Sequence, residues 1–400
     1  MRAQQPPRNK RQLTASEYDY LSIISPTITM GEPMCLAACD TVFCEASPEQ
    51  RQRIWQLNGE AWARPLNPDV YIERQTHMSE QEFCRDGRQR FWILHLKGYP
   101  RQIIASCDTI SKTVLISENG SSREGKAYGV ASVYTNPEYR RQGMAAILLR
   151  RVQEFMDKDS ELSVLYSDIG RNYYANLGWH VFPSKQATLS WIPPEAEAEG
   201  ETKAIFAQSR PGRTRYLRLE ELADLCEVDE LHLSARFDGM PADNKTHIAF
   251  LPSYAQISWQ LARADFMADK LFGKPLPHKG AIADNGRAWI YWEHYWRVKV
   301  LRVLRIVCVL DSTAEQRIDD TAVLLEAALA EASAWGLSDV VVWNPDEETT
   351  AGSKAVGNAH PKDVKVVFEE RLDKSIPSLR WAKGQQRKTV WEDNDYYGWC

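Results

Sequence analysis

The feature that most constrains the fold is a strand that leads directly into an amphipathic helix. Lys126–Thr135 has the composition of a strand, and the turn Asn136-Pro137-Glu138-Tyr139 follows it. Beyond Arg141 the apolar side chains recur at helical spacing, at Ala145, Leu148, Leu149, Val152, Phe155 and Met156. Because only one face of such a helix is apolar, it must pack against a sheet. The sequence therefore predicts an α/β domain here.

The turn into this helix carries the run Arg140-Arg141-Gln142-Gly143-Met144-Ala145. A helix start presents unpaired N–H groups and a partial positive charge, which favour a phosphate group. Gly143 and Ala145 are small enough for close approach of a ligand to the backbone, and Arg140 and Arg141 supply positive charge. The run predicts a pyrophosphate-binding turn. A solvated strand-to-helix turn is the alternative, because short motifs also match by chance.

Other elements are predicted on both sides of this turn. Before it we expect a helix from Ser47 or Pro48 to Trp62 and strands at Phe91–Leu96 and Gln102–Ile116. After it we expect a strand at Ser163–Ile169, a helix at Asn172–Asn176 and a strand at His180–Trp191.

Two motifs in this order resemble those of the GCN5-related N-acetyltransferases (GNAT). The first is Arg-x-x-Gly-x-Ala, at Arg140–Ala145, which follows a strand that ends in Asn-Pro-Glu-Tyr. The second is Tyr173-Tyr174-Ala175-Asn176-Leu177-Gly178-Trp179. The resemblance covers about residues 40–192. It implies an α/β (α+β) fold, with a mixed, mostly antiparallel sheet flanked by helices. It also implies acetyl-CoA as the co-substrate and an amine as the acceptor.

The resemblance assigns roles to particular residues. The backbone of Val133, Tyr134 and Thr135 would face the thioester, and Arg140, Arg141, Gln142, Gly143, Met144 and Ala145 would hold the pyrophosphate. Tyr174 would donate a proton to the departing thiolate, with Tyr173 as the alternative. A buried aromatic with a satisfied hydroxyl is the other interpretation of Tyr174.

Three further segments are similar to the fungal lysine N6-acetyltransferases of lysine catabolism: Leu165–Gly170, Ser375–Trp381 and Tyr396–Cys400. This narrower resemblance spans most of the chain and implies free L-lysine as acceptor, N6-acetyl-L-lysine as product and direct transfer in a ternary complex. Another amine metabolite or a protein lysine is the alternative acceptor. A non-catalytic, CoA-binding sensor or scaffold is the alternative from a different class.

The general base is not evident. Many GNAT enzymes place a glutamate on the strand before the loop, but Lys126–Thr135 contains no carboxylate, and Glu138 lies too near the expected phosphates. One expected acceptor-binding group is the terminal carboxylate of Cys400, which follows an aromatic cluster; simple packing of this end on the second domain is the alternative. Asp168 is the other expected acceptor-binding residue, or else a helix cap.

The segment from Pro193 to Glu201 is acidic and proline-bearing, which is typical of an exposed connection. We therefore predict a disordered tail at 1–35, a GNAT domain at 36–192, a linker at 193–212 and a C-terminal α/β domain at 213–400 that helps to form the acceptor site.

The C-terminal domain repeats the element order of the first. Strands are predicted at Ala288–Glu293, Val300–Leu310 and Val340–Trp343, with a helix at Thr321–Trp335. The run Gln316-Arg317-Ile318-Asp319-Asp320 has no glycine and two carboxylates where phosphate would lie. If the domain is a degenerate GNAT-like copy, it does not bind a cofactor in the same way.

Composition excludes several other classes of protein. A net charge of −5 gives no general attraction to nucleic acid, and no apolar run approaches the roughly 20 residues of a membrane helix. The eight cysteines form no CxxC pair, so we expect no disulfide framework, no metal and a reducing, cytoplasmic compartment. A mitochondrial transit peptide is the alternative interpretation of the basic residues near the N-terminus.

Overall fold

The computed structural model describes residues 40–192, 212–309 and 311–399. The predicted tail at 1–35, nearly all of the predicted linker at 193–212, and Cys400 lie outside these residues. Below, the first half means residues 40–192 and the second half means residues 212–399. No helix within the described ranges is long and apolar enough to cross a membrane.

The first half contains four helices and seven strands among its described residues. The helices are α1 (Pro48–Trp62), α2 (Pro68–Ser79), α3 (Met144–Met156) and α4 (Asn172–Ala175). The strands are β1 (Thr41–Glu45), β2 (Gln89–Leu96), β3 (Tyr99–Glu118), β4 (Ser121–Thr135), β5 (Leu162–Ser167), β6 (His180–Val181) and β7 (Lys185–Trp191).

The second half follows a related plan. Its helices are α5 (Leu222–Asp238), α6 (Tyr254–Phe272), α7 (Ala314–Ala334) and α8 (Glu347–Ala359). Its strands are β8 (Thr214–Leu217), β9 (Thr246–Phe250), β10 (Gly280–Ala283), β11 (Ala288–Tyr295), β12 (Val300–Cys308), β13 (Asp339–Trp343), β14 (Val364–Glu370), β15 (Ile376–Trp381) and β16 (Thr389–Trp391).

Two mixed sheets, each mostly antiparallel, organise these strands. The first has the order β1-β2-β3-β4-β5-β15-β6, with β9 paired to β3 and β16 to β9. The second has the order β14-β7-β13-β12-β11-β10-β8. In each sheet one parallel pair joins the strand before the long helix to the strand after it: β4 with β5, and β12 with β13. This confirms the predicted α/β fold with a second GNAT-like copy.

The halves exchange strands. β7 of the first half lies between β13 and β14 in the second sheet, while β15 of the second half lies between β5 and β6 in the first. The single strand expected at 180–191 is therefore two strands in different sheets, because Pro183 and Ser184 separate them. The domain bounds at 192 and 213 stay a prediction, since each sheet needs a strand from the other side of them.

Helix α3 packs as the apolar periodicity predicts. Leu148, Leu149 and Val152 are fully buried against the first sheet. Phe155 stacks on Trp92 of β2, with ring centroids 4.4 Å apart. Burying side chains of this size stabilises the fold by about 1.5–3 kcal/mol each. This packing fixes the N-terminus of α3, and so the predicted phosphate turn, relative to β4.

Candidate functional site

A gap opens in the first sheet where β4 and β5 diverge. The two strands pair only through Ala127–Gly129 and Leu162–Val164 in the described structure. Farther along, β4 contains a bulge opposite β3 at Ser132, whose φ of 52° lies in the left-handed region. Val133, Tyr134 and Thr135 follow this bulge on the diverging part of β4. The predicted thioester-facing residues thus lie at a sheet edge that β5 does not cover.

The N-terminus of α3 is open to an anion. Gly143 is its N-cap at φ 75°, no side chain caps the first turn, and that turn contains no acid. A Cβ atom at Gly143 would meet nothing within 4 Å, so the space beside the backbone is free of protein. A helix start with these properties favours a phosphate group.

The remaining residues of the turn support the same site. Arg140 and Arg141 are exposed, and Arg141 has a left-handed φ of 62°. Arg140 Nε donates a hydrogen bond to the Thr135 carbonyl oxygen at 3.0 Å, which ties the turn to the end of β4. Met144 is buried and Gln142 and Ala145 are half-buried, so Met144 can contribute through its backbone only. The residues present therefore fit the pyrophosphate of acetyl-CoA.

Tyr174 lies on α4, buried and in edge contact with Tyr173 and with Trp179. Burial, reinforced by the nearby Tyr173, Cys107 and Asp168, raises the pKa of Tyr174 well above its ordinary value. The phenol therefore stays protonated at neutral pH, as a proton donor must.

Asp108 of β3 is a buried carboxylate that the sequence analysis missed. It is 4% exposed and pairs across the ladder with Ala131, immediately before the bulge. Its Oδ2 accepts a hydrogen bond from Gln89 Nε2 at 2.7 Å, and its buried Oδ1 has no hydrogen-bond partner of normal geometry among the described residues. Burial raises the pKa of Asp108, although Ser132 and Gln89 act in the opposite direction.

The side chain of Asp108 points to one face of β3, and Tyr174 lies on the opposite face. Cys107 lies near enough to Tyr174 to raise its pKa, and neighbouring strand residues point to opposite sides. Thr109, on the face of Cys107, accepts a hydrogen bond from Trp92 Nε1, and the Trp92 ring packs on α3. The arrangement has an acid on the α3 side of β3 and a potential base on the other.

Asp168 is exposed at the end of β5 and receives hydrogen bonds from the second half. Its Oδ1 accepts from the Ser375 backbone N at 2.9 Å, just before β15. Helix α4 instead has Arg171 as its N-cap, without a side-chain hydrogen bond, so Asp168 does not cap it. A contact between Asp168 and the acceptor stays a prediction.

Cys400, the other predicted acceptor-binding residue, lies outside the described residues, but the segment before it is docked. Lys112 Nζ donates to the Gly398 carbonyl oxygen at 2.6 Å, and Gln260 Nε2 donates to that of Trp399 at 2.7 Å. Trp399 also packs against a buried cluster that includes Ile110, and Ala131, the ladder partner of Asp108, packs against the same cluster. Tyr396–Trp399 thus forms part of the wall between the two halves.

The corresponding helix start in the second half is closed to an anion. Thr313 caps α7 through a reciprocal capping box with Gln316. Asp319 pairs with Arg213 at 2.6 Å, and Asp320 Oδ1 accepts from Asn285. The second half therefore lacks the phosphate site, as the sequence predicts for a degenerate copy.

Comparison with known proteins agrees with this geometry. A family model described as the LYC1 GNAT-like C-terminal domain matches residues 195–400, and one for an acetyltransferase (GNAT) domain matches residues 46–182. A protein of Yarrowia lipolytica named lysine acetyltransferase is 22% identical over 404 residues, with 88% of this chain and 98% of the relative covered.

Two solved structures share the fold. Saccharomyces cerevisiae N-myristoyltransferase with bound myristoyl-CoA matches with a TM-score of 0.53 at 10% identity, covering 90% of this chain and 84% of that one. An Enterococcus faecalis protein described as a probable N-acyltransferase matches with a TM-score of 0.51 at 11% identity, covering 86% and 73%. The chain belongs to the GNAT acetyltransferases, carries the LYC1-type GNAT-like C-terminal domain, and is an N-acetyltransferase.

Proposed function

We propose that this enzyme transfers the acetyl group of acetyl-CoA to the ε-amine of free L-lysine, giving N6-acetyl-L-lysine by direct transfer in a ternary complex. The observation that carries the proposal is the buried Asp108 carboxylate beside the bulge of β4. The relative named lysine acetyltransferase, which matches along nearly its whole length, supports a lysine amine as the acceptor.

Asp108 would bind and deprotonate the lysine ammonium. Because a lysine amine has a reference pKa of about 10.4, it must lose a proton before it attacks. Asp108 Oδ1 is available to accept that proton, and a carboxyl whose pKa burial has raised is a stronger base than an exposed one. Because Asp108 of β3 would supply the base, the absence of a carboxylate from β4 is no longer an argument for a non-catalytic sensor.

Tyr174 would complete the proton balance. Acetyl-CoA, when bound, supplies a thioester carbonyl. The lysine nitrogen would bond to that carbon as the carbon–sulfur bond breaks, and the Tyr174 hydroxyl would protonate the departing thiolate. The second proton lost by the nitrogen would return through solvent to the Tyr174 phenolate, and Asp108 would release the first to solvent. The backbone of Val133, Tyr134 and Thr135 would orient and polarise the carbonyl, since hydrogen-bond donors aimed at developing negative charge lower the barrier.

Two arginines near Tyr71 would bind the α-carboxylate of the acceptor. Burial raises the pKa of Tyr71 on α2 to about 12, and the charges of Arg74, Asp108 and Arg297 all lie near enough to act on it. Arg74 Nε is buried with no hydrogen-bond partner among the described residues. Arg297, from the second half, donates to backbone carbonyls of α1. Charges of both signs near Tyr71 match a zwitterionic amino acid.

Thiol release from acetyl-CoA, with identification of the product by mass spectrometry, tests this acceptor. The panel contains L-lysine, L-ornithine, lysinamide, cadaverine and a histone-tail peptide. We expect L-lysine to react best and to yield N6-acetyl-L-lysine, with lysinamide and cadaverine slower because they lack the carboxylate. Faster turnover of the peptide or of cadaverine would contradict the proposal.

Arg74→Met tests the carboxylate contact separately. It should lower kcat/KM for lysine by about tenfold, and for cadaverine much less, since one hydrogen-bonded charge contributes roughly 1.5–3 kcal/mol. Arg53→Met, at an exposed position on α1, is the matched control. Equal losses for both acceptors would assign Arg74 a structural role only.

A further inference from the structure

A second cleft lies in the second half, where β12 and β13 diverge. These strands pair only from Val300 to Arg302 with Asp339–Val341. Beyond that point the cleft, of about 760 Å³, is bounded by residues 303–309, 342–346 and 391–395, together with part of α5. It is the counterpart, in the second sheet, of the gap between β4 and β5. Its volume is within the range of small-molecule sites, roughly 300–1,000 Å³.

Buried charges in this second cleft do not balance. Arg305 is 5% exposed and binds Asp229 through two hydrogen bonds of 2.6 and 2.9 Å. The same guanidinium contacts Asp393 at 2.9 Å and Asp395 at 3.2 Å, and Arg236 pairs with Asp393. Three carboxyl groups therefore share two guanidiniums, so ionisation of all three would leave one excess negative charge at the wall of the cleft.

Asn394 supplies an independent sign of a ligand. It lies between Asp393 and Asp395 in the wall of the cleft and is only 7% exposed. Its buried Oδ1 has no hydrogen-bond partner among the described residues. A buried carbonyl oxygen without a donor costs about 1–3 kcal/mol, so it favours a ligand that brings an N–H group.

The surroundings of Asp395 would favour a bound cation. Burial and the neighbouring acids outweigh Arg305 and raise the pKa of Asp395 to about 8. An added positive charge in the cleft would favour the ionised carboxylate. A phosphate ligand is disfavoured by the same carboxylates and by the capped start of α7.

We propose that the second cleft binds a small organic cation with an ammonium or guanidinium group, held by the Asp395 carboxylate and Asn394 Oδ1. A basic amino acid or a diamine has the charge and the size. This site is separate from the proposed acceptor site at Asp108, which lies in the first sheet. Both sites could bind lysine, so the test must tell them apart.

Titration calorimetry with the whole chain distinguishes the two sites. L-Arginine, L-lysine and putrescine are titrated into the wild type, Asp395→Asn and Asp108→Asn, with L-glutamate as the charge control. We expect at least one of the three cations to bind the wild type and Asp108→Asn alike but Asp395→Asn at least tenfold more weakly, with no binding of L-glutamate. Loss in Asp108→Asn alone would assign the binding to the acceptor site and overturn the second site.

A crystal of the wild type soaked with the tightest-binding cation gives a second test that does not depend on the folding of a variant. Density for the cation within hydrogen-bond distance of Asn394 Oδ1 and Asp395 supports the proposal. Equal affinity of the wild type and Asp395→Asn, no binding of any of the three cations, or density elsewhere only would overturn it. Failure of lysine acetylation leaves all these results unaffected, so the two proposals fail separately.

Discussion

The two halves of the chain share a strand–helix–strand plan but differ at the start of the long helix. In the first half, α3 begins at Gly143, without a side-chain cap and without an acid in its first turn. In the second, α7 begins with a capping box and has Asp319 and Asp320 within its second turn. The same backbone plan thus gives an anion site in one half and a closed helix end in the other.

The gaps beside these helices differ in the same way. Near the β4–β5 gap, Asp108 lies on one face of β3 and Tyr174 on the other. The end of β4 between them is not covered by β5. The β12–β13 gap is instead lined by paired charges, with Arg305 at their centre. A duplicated fold can therefore keep one catalytic gap and convert the other into a different kind of site, by a few side chains at equivalent places.

The largest expected effect comes from changing the two helix starts. Gly143→Val forces a β-branched residue into a left-handed φ and crowds the phosphate approach, so kcat/KM should fall at least about 100-fold, mainly through KM for acetyl-CoA. Thr313→Ala, the matched change at α7, should lower the free energy of unfolding by about 1 kcal/mol and leave turnover unchanged. Steady-state kinetics and urea denaturation measure these effects. Similar activity losses in both variants would remove the contrast between the helix starts.

Removing the proposed base should have the next largest effect. Asp108→Asn should lower kcat by roughly 10²–10⁴-fold and leave KM for acetyl-CoA unchanged. The deficit should narrow between pH 7 and 9.5, because more of the lysine amine is then neutral without a base. Asp320→Asn removes another buried acid, in the second half, and is the matched control. A deficit that does not change with pH would argue for a structural role of Asp108.

The local elements could be predicted from sequence because their signals are local. The apolar periodicity of α3, the capping residue of α1 and the two GNAT motifs each lie within a few residues. The exchange of β7 and β15 could not be predicted, since it depends on which sheet edge each strand meets across about 150 to 220 residues of chain. Helices α2, α5, α6 and α8 are not predicted from the sequence either, and α7 begins seven residues before its predicted start at Thr321.

Asp108 shows why the catalytic assignment was incomplete. The family resemblance implies a glutamate on β4, whereas Asp108 lies on the neighbouring strand β3. A signal was present, since Asp108 is the only charged residue in the run from Ile103 to Ile110, and acids are rarely buried without a reason. Its position opposite the β4 bulge, however, depends on strand register, which the sequence alone does not specify.

Replacing the proposed proton donor should have a smaller effect. Tyr174→Phe should lower kcat by about tenfold to a hundredfold, near the lower limit for a general acid, because a thiolate is a good leaving group. Tyr173→Phe, on the same helix, should stay near wild-type activity. Since burial raises the pKa of Tyr174, the wild type should also keep its activity up to about pH 9 without loss through this group. Equal rates for Tyr174→Phe and the wild type would exclude the assignment.

The smallest expected effect is on stability, at the second cleft. The pKa of Asp395 in the folded chain is about 8, against an ordinary value of 3.8, so the folded state binds an extra proton between these pH values. The free energy of unfolding should therefore fall as the pH rises from about 4 to 8. Asp395→Asn removes this loss and should be more stable than the wild type at pH 8 by about 1–2 kcal/mol, since part of the side chain reaches solvent.

Asp393→Asn should lower the free energy of unfolding, whereas Asp395→Asn should raise it. The two variants together therefore give a sharper test than either alone. Arg305 and Arg236 outweigh burial and hold the pKa of Asp393 below its ordinary value, so its ionised form stabilises the fold at neutral pH. Urea denaturation from pH 4 to 9 should thus place Asp393→Asn below the wild type and Asp395→Asn above it at pH 8. If both variants lie below, Asp395 is already balanced by Arg305, the cleft carries no excess negative charge, and the contrast between the two gaps reduces to the helix starts.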